Sequence, residues 1–196
     1  MRIAVVYAHP VDTSFNAAVF REVRKALEGK GHEIKVLDLY RMSFDPVLSV
    51  DERLIYETPG EHRQALREHI ATIKWAEGLI FVYPTWWYGL PAILKGWLDR
   101  VWLPGVTFAL PKGDGPIEPL MRNIRLLGGI STYGAGWWWT RYVGDPGRRT
   151  IMRGVRSLCA RDCRAFWLAH HKMDSSTEAG RKAFLQRIKR RLKRVV

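Results

Sequence analysis

The chain has 196 residues, of which 47% are hydrophobic and 26% are charged, and these values are typical of a single soluble domain with a sizeable core. Because no apolar run approaches the roughly 18 residues that a membrane-spanning helix requires, the sequence argues against a membrane span. The formal net charge is +13, and residues 181–196 contribute eight cations and no acid to it.

The patterns of apolar residues predict five strands. Residues 3–8 form a continuous apolar run that is too short for a signal peptide, which indicates a central parallel strand in a cytoplasmic protein. Residues 33–39 alternate between polar and apolar side chains, as in a strand nearer the edge of a sheet. Further strands are predicted at residues 79–83, 125–131 and 164–169. Helical periodicity predicts helices at residues 15–28, 61–76, 91–102 and 150–159 and at the basic C-terminus, with loops at residues 41–60 and 104–119.

This alternation predicts an α/β fold, with a doubly wound five-stranded parallel sheet and helices on both faces, as a single domain over residues 1–196. An alternating second strand beside a continuous first and third strand favours the flavodoxin-like order 2-1-3-4-5. In that order, ligands bind at the carboxyl ends of the strands, at the switch point between the first and third strands. We therefore expect the loops after the first, third and fourth strands to form a binding site.

The loop after the first strand, His9 to Asn16, suits a phosphate group. Thr13 or Ser14 can cap the next helix, whose free backbone N–H groups form an anion site. The imidazole of His9 and the amide of Asn16 add further polar groups. A merely capped helix is the alternative interpretation of this loop.

The loop after the third strand is an aromatic turn, residues 84–88, that contains Trp86, Trp87 and Tyr88. Three consecutive aromatic side chains cannot all face inward from a tight turn, so we expect at least one to contact a ligand or a partner subunit. Trp97, on the helix that follows, is predicted to belong to the core.

The loop after the fourth strand, Ser131 to Gly136, contains two glycines that let the backbone approach a ligand closely. Together the three loops predict a crevice with a phosphate site at one end and room for a flat ring at the other, which is the shape of flavin mononucleotide. The triplet Trp137-Trp138-Trp139 follows, and it is open whether these side chains lie in the core, at a dimer surface or over the substrate.

The chain resembles the NAD(P)H quinone oxidoreductase (DT-diaphorase) family in three motifs: His9 with residues 13–16, residues 84–101, and Ser131-Thr132-x-Gly134. The resemblance implies a flavodoxin-like fold, a tightly bound flavin, a homodimer with its site near the interface, and two-electron ping-pong transfer from NAD(P)H to a quinone or similar flat acceptor. Either FMN or FAD fits this chain length. A flavodoxin-type electron carrier and a redox-sensing regulatory subunit are the alternatives.

Transferred by motif, the residues that hold the flavin phosphate are His9, Thr13, Ser14, Phe15 and Asn16. The residues that frame its ring system are Pro84, Thr85, Trp86, Trp87, Tyr88, Ser131, Thr132, Gly134 and Gly136. The family also carries a Tyr and a His that stabilise charge on the reduced cofactor, but an ungapped count places Trp139 and Asp145 there. Tyr133, Arg141 and Tyr142 are candidates to replace them, and Trp138, Trp139 and Arg141 are candidate substrate contacts.

The basic C-terminal segment has two interpretations. Its apolar residues recur at helical spacing after a potential capping box at Ser175 to Glu178, which favours a helix docked through one face; they are Phe184, Leu185, Ile188, Leu192 and Val195. The alternative is a weak contact of its cations with an anionic surface, and specific nucleic-acid binding is not predicted.

Cys159 and Cys163 are separated by three residues, a spacing that matches neither a zinc ribbon nor a C-x-x-C redox motif. Few other soft ligands lie nearby in the sequence. We therefore expect two reduced thiols and no metal site.

Overall fold

The computed structural model describes residues 1–58, 64–111 and 113–195. Its strands are β1 (Arg2–Tyr7), β2 (Glu33–Asp38), β3 (Gly78–Thr85), β4 (Phe108–Ala109), β5 (Glu118–Pro119), β6 (Leu126–Tyr133) and β7 (Arg164–His170). Five of these strands form one parallel sheet in the order β2-β1-β3-β6-β7. Because β6 and β7 are the fourth and fifth predicted strands, the predicted fold class and strand order are confirmed.

The helices are α1 (Phe15–Glu28), α2 (Val50–Leu54), α3 (Arg67–Trp75), α4 (Ala92–Val101), α5 (Trp137–Tyr142), α6 (Pro146–Arg149) and α7 (Glu178–Val195). A π-helical stretch, Thr150–Val155, continues α6, and a short 3-10 helix spans Met173–Ser175. The helix predicted at residues 61–76 starts at Arg67, and residues 61–63 lie outside the described part. Among the described helices, none has the length and apolar character to cross a membrane.

The sheet has an apolar core on each face. On one face, α1 and α7 cover β1, β3 and β6 with side chains that include Val19, Val23 and Ile188. On the other face, α3, α4 and the segment after α6 pack against the sheet, and the thiols of Cys159 and Cys163 are buried and free there. Helices on both faces bury β1 after Arg2 and β3 up to Pro84, which explains the continuous apolar sequences of these two strands.

Gly128 and Gly129 in β6 make room for two aromatic rings of the neighbouring strand β7. A Cβ on Gly128 would lie 2.4 Å from the ring of Phe166, and a Cβ on Gly129 would lie 2.1 Å from the ring of Trp167. The two rings pack on opposite faces of the sheet because successive strand residues point to opposite sides. The glycine pair therefore fits β6 closely against β7.

Three short elements, one helix and two strands, lie in segments that were predicted as loops. Helix α2 begins with a capping box in which Ser49 and Glu52 satisfy each other's backbone N–H groups. Arg100 of α4 donates to the Glu52 carboxylate at 2.5 Å and ties this helix to α4. Strands β4 and β5 form an antiparallel pair in the segment after α4.

Helix α7 docks through one face, as its periodicity predicts. Phe184, Ile188 and Leu192 are buried, while Lys189 and Arg190 between them are exposed. The predicted capping box at Ser175 is wrong, because the Thr177 hydroxyl accepts the backbone N–H of Gly180 and Ser175 belongs to the 3-10 helix.

His69 lies in the core beneath α4. Its Nδ1 accepts a hydrogen bond of 3.1 Å from the indole Nε1 of Trp97, and its ring meets Phe44 edge to face. An accepting Nδ1 places the ring proton on Nε2, so the imidazole is neutral in the folded chain. Burial lowers the pKa of His69 from its ordinary value of 6.5.

We expect His69 to destabilise the fold in acid. The pKa of His69 is higher in the unfolded chain than in the folded chain, so His69 does not lower the free energy of unfolding above about pH 6.5. Below that pH, the free energy of unfolding decreases as the pH falls toward the folded-state pKa. Urea titrations at about pH 7.5 and pH 5 should show a larger loss of unfolding free energy in the wild type than in His69→Asn. Equal losses would contradict this role, because the remaining histidines are common to both chains.

Candidate functional site

The loops after β1, β3 and β6 meet at the carboxyl edge of the sheet and enclose a cleft of about 670 Å³. This volume lies within the range of roughly 300–1000 Å³ found for small-molecule sites. The residues that line the cleft are His9, Ser14, Phe15, Asn16, Pro84, Thr85, Trp86, Trp87, Thr132, Tyr133, Gly134, Met173 and Asp174. The structure thus brings together residues from all three predicted loops.

Ser14 organises the loop after β1. Its hydroxyl accepts the backbone N–H of Ala17 at 3.1 Å and so caps α1, and it lies 3.1 Å from Nδ1 of His9. Nδ1 also accepts the backbone N–H of Val11 at 3.0 Å, which leaves the ring proton on Nε2. Burial lowers the pKa of His9, so the imidazole is a neutral donor at this end of the cleft.

Replacing Ser14 by alanine is expected to lower the free energy of unfolding by about 1 kcal/mol, because α1 loses its N-terminal cap. The matched control is Thr13→Ala, which removes an exposed neighbouring hydroxyl that does not cap the helix. Urea unfolding of both variants measures the difference. Equal stability of the two variants would show that the cap contributes nothing.

Asn16 joins two of the loops and has an unused acceptor. Its side chain is buried, and its Nδ2 donates to the Thr132 hydroxyl across a distance of 3.4 Å. Its Oδ1 is buried without a hydrogen-bond partner among the described residues. Since an unpaired buried acceptor is costly, the cleft suits a ligand that carries a hydroxyl or N–H donor at this position.

The aromatic turn after β3 has a strained backbone. Gly89 donates its N–H to the Trp86 carbonyl at 3.0 Å, and the two residues between them, Trp87 and Tyr88, have φ values of 48° and 61°. Such a turn normally uses Asn or Gly at these positions. Side chains other than glycine in this region cost about 1–3 kcal/mol each and persist where surrounding contacts hold them.

Contacts from the chain after β6 hold this turn in place. The Trp139 indole Nε1 donates to the Tyr88 hydroxyl at 2.7 Å, and the Gly147 N–H donates to the Tyr88 carbonyl at 3.2 Å. The side chain of Trp87 points away from these contacts and is 95% exposed. An indole that is held by a strained turn and covered by nothing in the described part of the chain offers a flat surface to a ligand.

The loop after β6 forms the other wall. The hydroxyls of Thr85 and Ser131 are 2.8 Å apart, and this contact joins the ends of β3 and β6. Tyr133 is buried, donates its hydroxyl to Oδ1 of Asp145 at 3.0 Å, and stacks on His171 at 4.7 Å. Burial and the neighbouring Asp145 carboxylate raise the pKa of Tyr133, which keeps this hydroxyl protonated.

The remaining predicted site residues lie around the cleft rather than in its lining. Tyr88 lines a smaller cavity of about 230 Å³ that shares Thr85, Trp87, Tyr133 and Gly134 with the cleft. The others lie outside both cavities: Thr13, Ser131, Gly136, Trp138, Trp139, Arg141 and Tyr142.

Two lining residues, Met173 and Asp174, were not predicted. They follow β7, and Oδ2 of Asp174 lies close enough to Gly134 to meet a Cβ there at 3.3 Å. The only sequence signal for them is topological, because the loop after β7 opens at the same edge of the sheet as the other three.

Comparison with known proteins identifies the relatives of this chain. A family model described as "Flavodoxin-like fold" matches residues 1–194. NAD(P)H dehydrogenase (quinone) 1 of Cavia porcellus is 36% identical over 135 residues, which cover 60% of this chain and 49% of that protein. The chain therefore spans about half the length of that relative.

Two further proteins match over greater shares of their length. The uncharacterized NAD(P)H oxidoreductase YcaK of Escherichia coli (strain K12) is 30% identical over 154 residues, which cover 74% of this chain and 73% of that protein. The structure of an NAD(P)H:quinone oxidoreductase from Methanothermobacter marburgensis is 26% identical with a TM-score of 0.84, and the alignment covers 100% of this chain and 96% of that chain. With these matches and a family model over nearly its whole length, the chain belongs to the flavodoxin-like family, among the NAD(P)H quinone oxidoreductases.

Proposed function

We propose that the chain binds a flavin, as FMN or FAD, in the cleft and catalyses two-electron transfer from NAD(P)H to a quinone or a similarly flat acceptor. The observation that carries this proposal is the position of the cleft, with the capped loop at Ser14 on one side and the exposed indole of Trp87 on the other. Folds of this class hold FMN at the same switch point. The names of the relatives support NAD(P)H as the reductant.

The groups at the β1 end of the cleft fit the phosphate and sugar-alcohol part of a flavin. His9, Ser14 and Phe15 lie beside the N-terminus of α1, where free N–H groups attract an anion. The unpartnered Oδ1 of Asn16 is placed to accept a hydroxyl of the sugar-alcohol chain. These residues would therefore bind both the negative charge of the phosphate and a hydroxyl donor of the sugar-alcohol chain.

The other end of the cleft fits the ring system. Residues 84–88 would frame one edge of the flavin ring, with Trp87 stacked on it, and Thr132 and Gly134 would lie along the other edge. When bound, the flavin supplies the hydride exchange with NAD(P)H and with the acceptor. The protein contributes stacking, orientation and exclusion of water, and no covalent nucleophile is required.

We assign Tyr133 to the wall of the cleft beside the flavin ring, as a side chain that keeps its proton. Its hydroxyl donates to Asp145, and this hydrogen bond fixes the position of the Tyr133 ring. Because the pKa of Tyr133 is raised, the hydroxyl keeps its proton at neutral pH. Arg141 and Tyr142 were the other candidates for charge stabilisation, but both lie outside the cleft lining, and Tyr142 is 81% exposed. Tyr133 therefore remains in the proposal and Tyr142 does not.

We also propose that two copies of this cytoplasmic chain form a homodimer that covers the exposed aromatic side chains beside the cleft. These side chains are Trp139 and Tyr142, which are 54% and 81% exposed and whose ring centroids lie 5.3 Å apart. Clusters of exposed aromatic side chains of this kind mark interaction sites. Light scattering should give twice the chain mass at micromolar concentration, and a monomer would contradict the dimer.

The activity is tested with purified protein, NADH or NADPH and a soluble benzoquinone. We expect rapid oxidation of the nicotinamide and parallel double-reciprocal plots, because reductant and acceptor use the same pocket in turn. A protein that holds flavin but oxidises neither nicotinamide would instead be an electron carrier of the flavodoxin type. That result would contradict the proposed enzyme while leaving the cofactor site intact.

A further inference from the structure

A third cavity, of about 350 Å³, lies between α5, α6, β7 and α7. It shares no lining residue with the cleft, although Asp145 and His171 of its wall contact Tyr133 of the cleft wall. Its other lining residues include Arg141, Arg148 and Arg187. The proposed function uses none of these arginines.

The charges of this cavity are unbalanced. Three guanidinium groups face one carboxylate, and that carboxylate, Asp145, already accepts the Tyr133 hydroxyl. Within the described residues, none of the three arginines forms an ion pair with an acid. The cavity therefore carries a net positive charge that its one carboxylate does not neutralise.

Arg187 is held in place without a counterion. Its guanidinium donates to the Ala169 carbonyl at 3.0 Å and lies 5.2 Å from the ring centroid of Phe184. Burial lowers its pKa, because removing a cation from water is costly. A bound anion would offset that cost.

His171 adds a ring nitrogen to the lining of this cavity, and Trp137 adds an aromatic ring. Nδ1 of His171 is buried and has no hydrogen-bond partner among the described residues. Trp137 is half exposed, and the Arg141 guanidinium lies 5.7 Å from its ring centroid. The cavity thus combines charged donors, one free ring nitrogen and an aromatic surface.

We propose that this cavity binds an organic phosphate, with the phosphoryl oxygens on Arg141, Arg148 and Arg187 and an attached ring beside Trp137. Guanidinium groups bind phosphate through paired N–H donors. The two negative charges of a phosphate balance three guanidinium groups better than the single charge of a carboxylate ligand does. The volume is near the lower limit for small-molecule sites and suits one ring with one phosphate.

Phenyl phosphate is the probe, titrated calorimetrically into protein that is saturated with FMN so that the phosphate end of the cleft is filled. We expect the wild type to bind phenyl phosphate and not phenol. Arg148→Gln and Arg187→Gln should each weaken binding at least about tenfold, because each removes charged hydrogen bonds. Arg148→Lys, which keeps the charge but loses the paired donors, should weaken binding less than Arg148→Gln does.

The matched control is Arg153→Gln, an exposed cation of the same helical segment that makes the same change in net charge. It should bind phenyl phosphate as the wild type does. The proposal is overturned by equal losses at Arg153 and Arg148, which indicate attraction to net charge alone, or by no binding at millimolar concentration. A loss in Ser14→Ala with none in Arg148→Gln would place the probe in the cleft and also overturn it. Because no cleft residue is changed in the arginine variants, the outcome is separate from that of the proposed activity.

Discussion

Replacing Trp97 by alanine is expected to lower the free energy of unfolding by about 3–5 kcal/mol, the range for truncating a large buried aromatic side chain. Trp97 is completely buried and packs edge to face against Phe81 and Trp102. The substitution also leaves Nδ1 of His69 without its donor. Since a domain has only about 5–15 kcal/mol of stability, this change is a large fraction of the total.

Two controls separate the core from the surface. Trp97→Phe keeps a buried ring and should lose less stability than Trp97→Ala. Trp138→Ala removes the same side chain where it is 80% exposed, and its stability should stay within about 0.5 kcal/mol of the wild type. Similar losses for Trp97→Ala and Trp138→Ala in urea titrations would contradict the assignment of Trp97 to the core.

The second large effect is expected on flavin affinity. Trp87→Ala should weaken FMN binding by about 1–3 kcal/mol, roughly 5- to 150-fold, which is the scale of stacking a base on an aromatic side chain. Because Trp87 is 95% exposed in the free chain, its truncation removes almost no buried area, so unfolding without FMN should be unchanged. Titration of apoprotein with FMN, followed by flavin fluorescence, measures the affinity.

The matched control for Trp87 is again Trp138→Ala, which removes an exposed indole that does not line the cleft. Its FMN affinity should equal that of the wild type. Wild-type affinity in Trp87→Ala would show that this indole does not stack on the flavin. Equal losses in both variants would indicate an effect of the exposed aromatic surface as a whole.

Much of the fold follows from the sequence because strands buried on both faces must be apolar throughout. The continuous runs of β1 and β3 indicate central strands, and the alternation in β2 indicates an edge position, as observed. The helical stripe of Leu94, Trp97, Leu98 and Val101 likewise identifies the buried face of α4.

Other features depend on contacts between distant residues and leave no local signal. The strained turn at Trp87 and Tyr88 is held by Trp139 and Gly147, some 50 or more positions away, and local propensity argues against it. The bond between Tyr133 and Asp145 also forms only when α6 folds back against β6. Spacing alone therefore located the cleft but not the partners that shape its walls.

The measurement that tests the central claim most directly is the identity of the bound cofactor. The purified protein is denatured, and the released small molecule is analysed by visible absorption and mass spectrometry. We expect a yellow protein that releases FMN or FAD in a ratio near one per chain. A colourless protein that binds neither flavin when either is added would contradict the flavin site and the activity built on it.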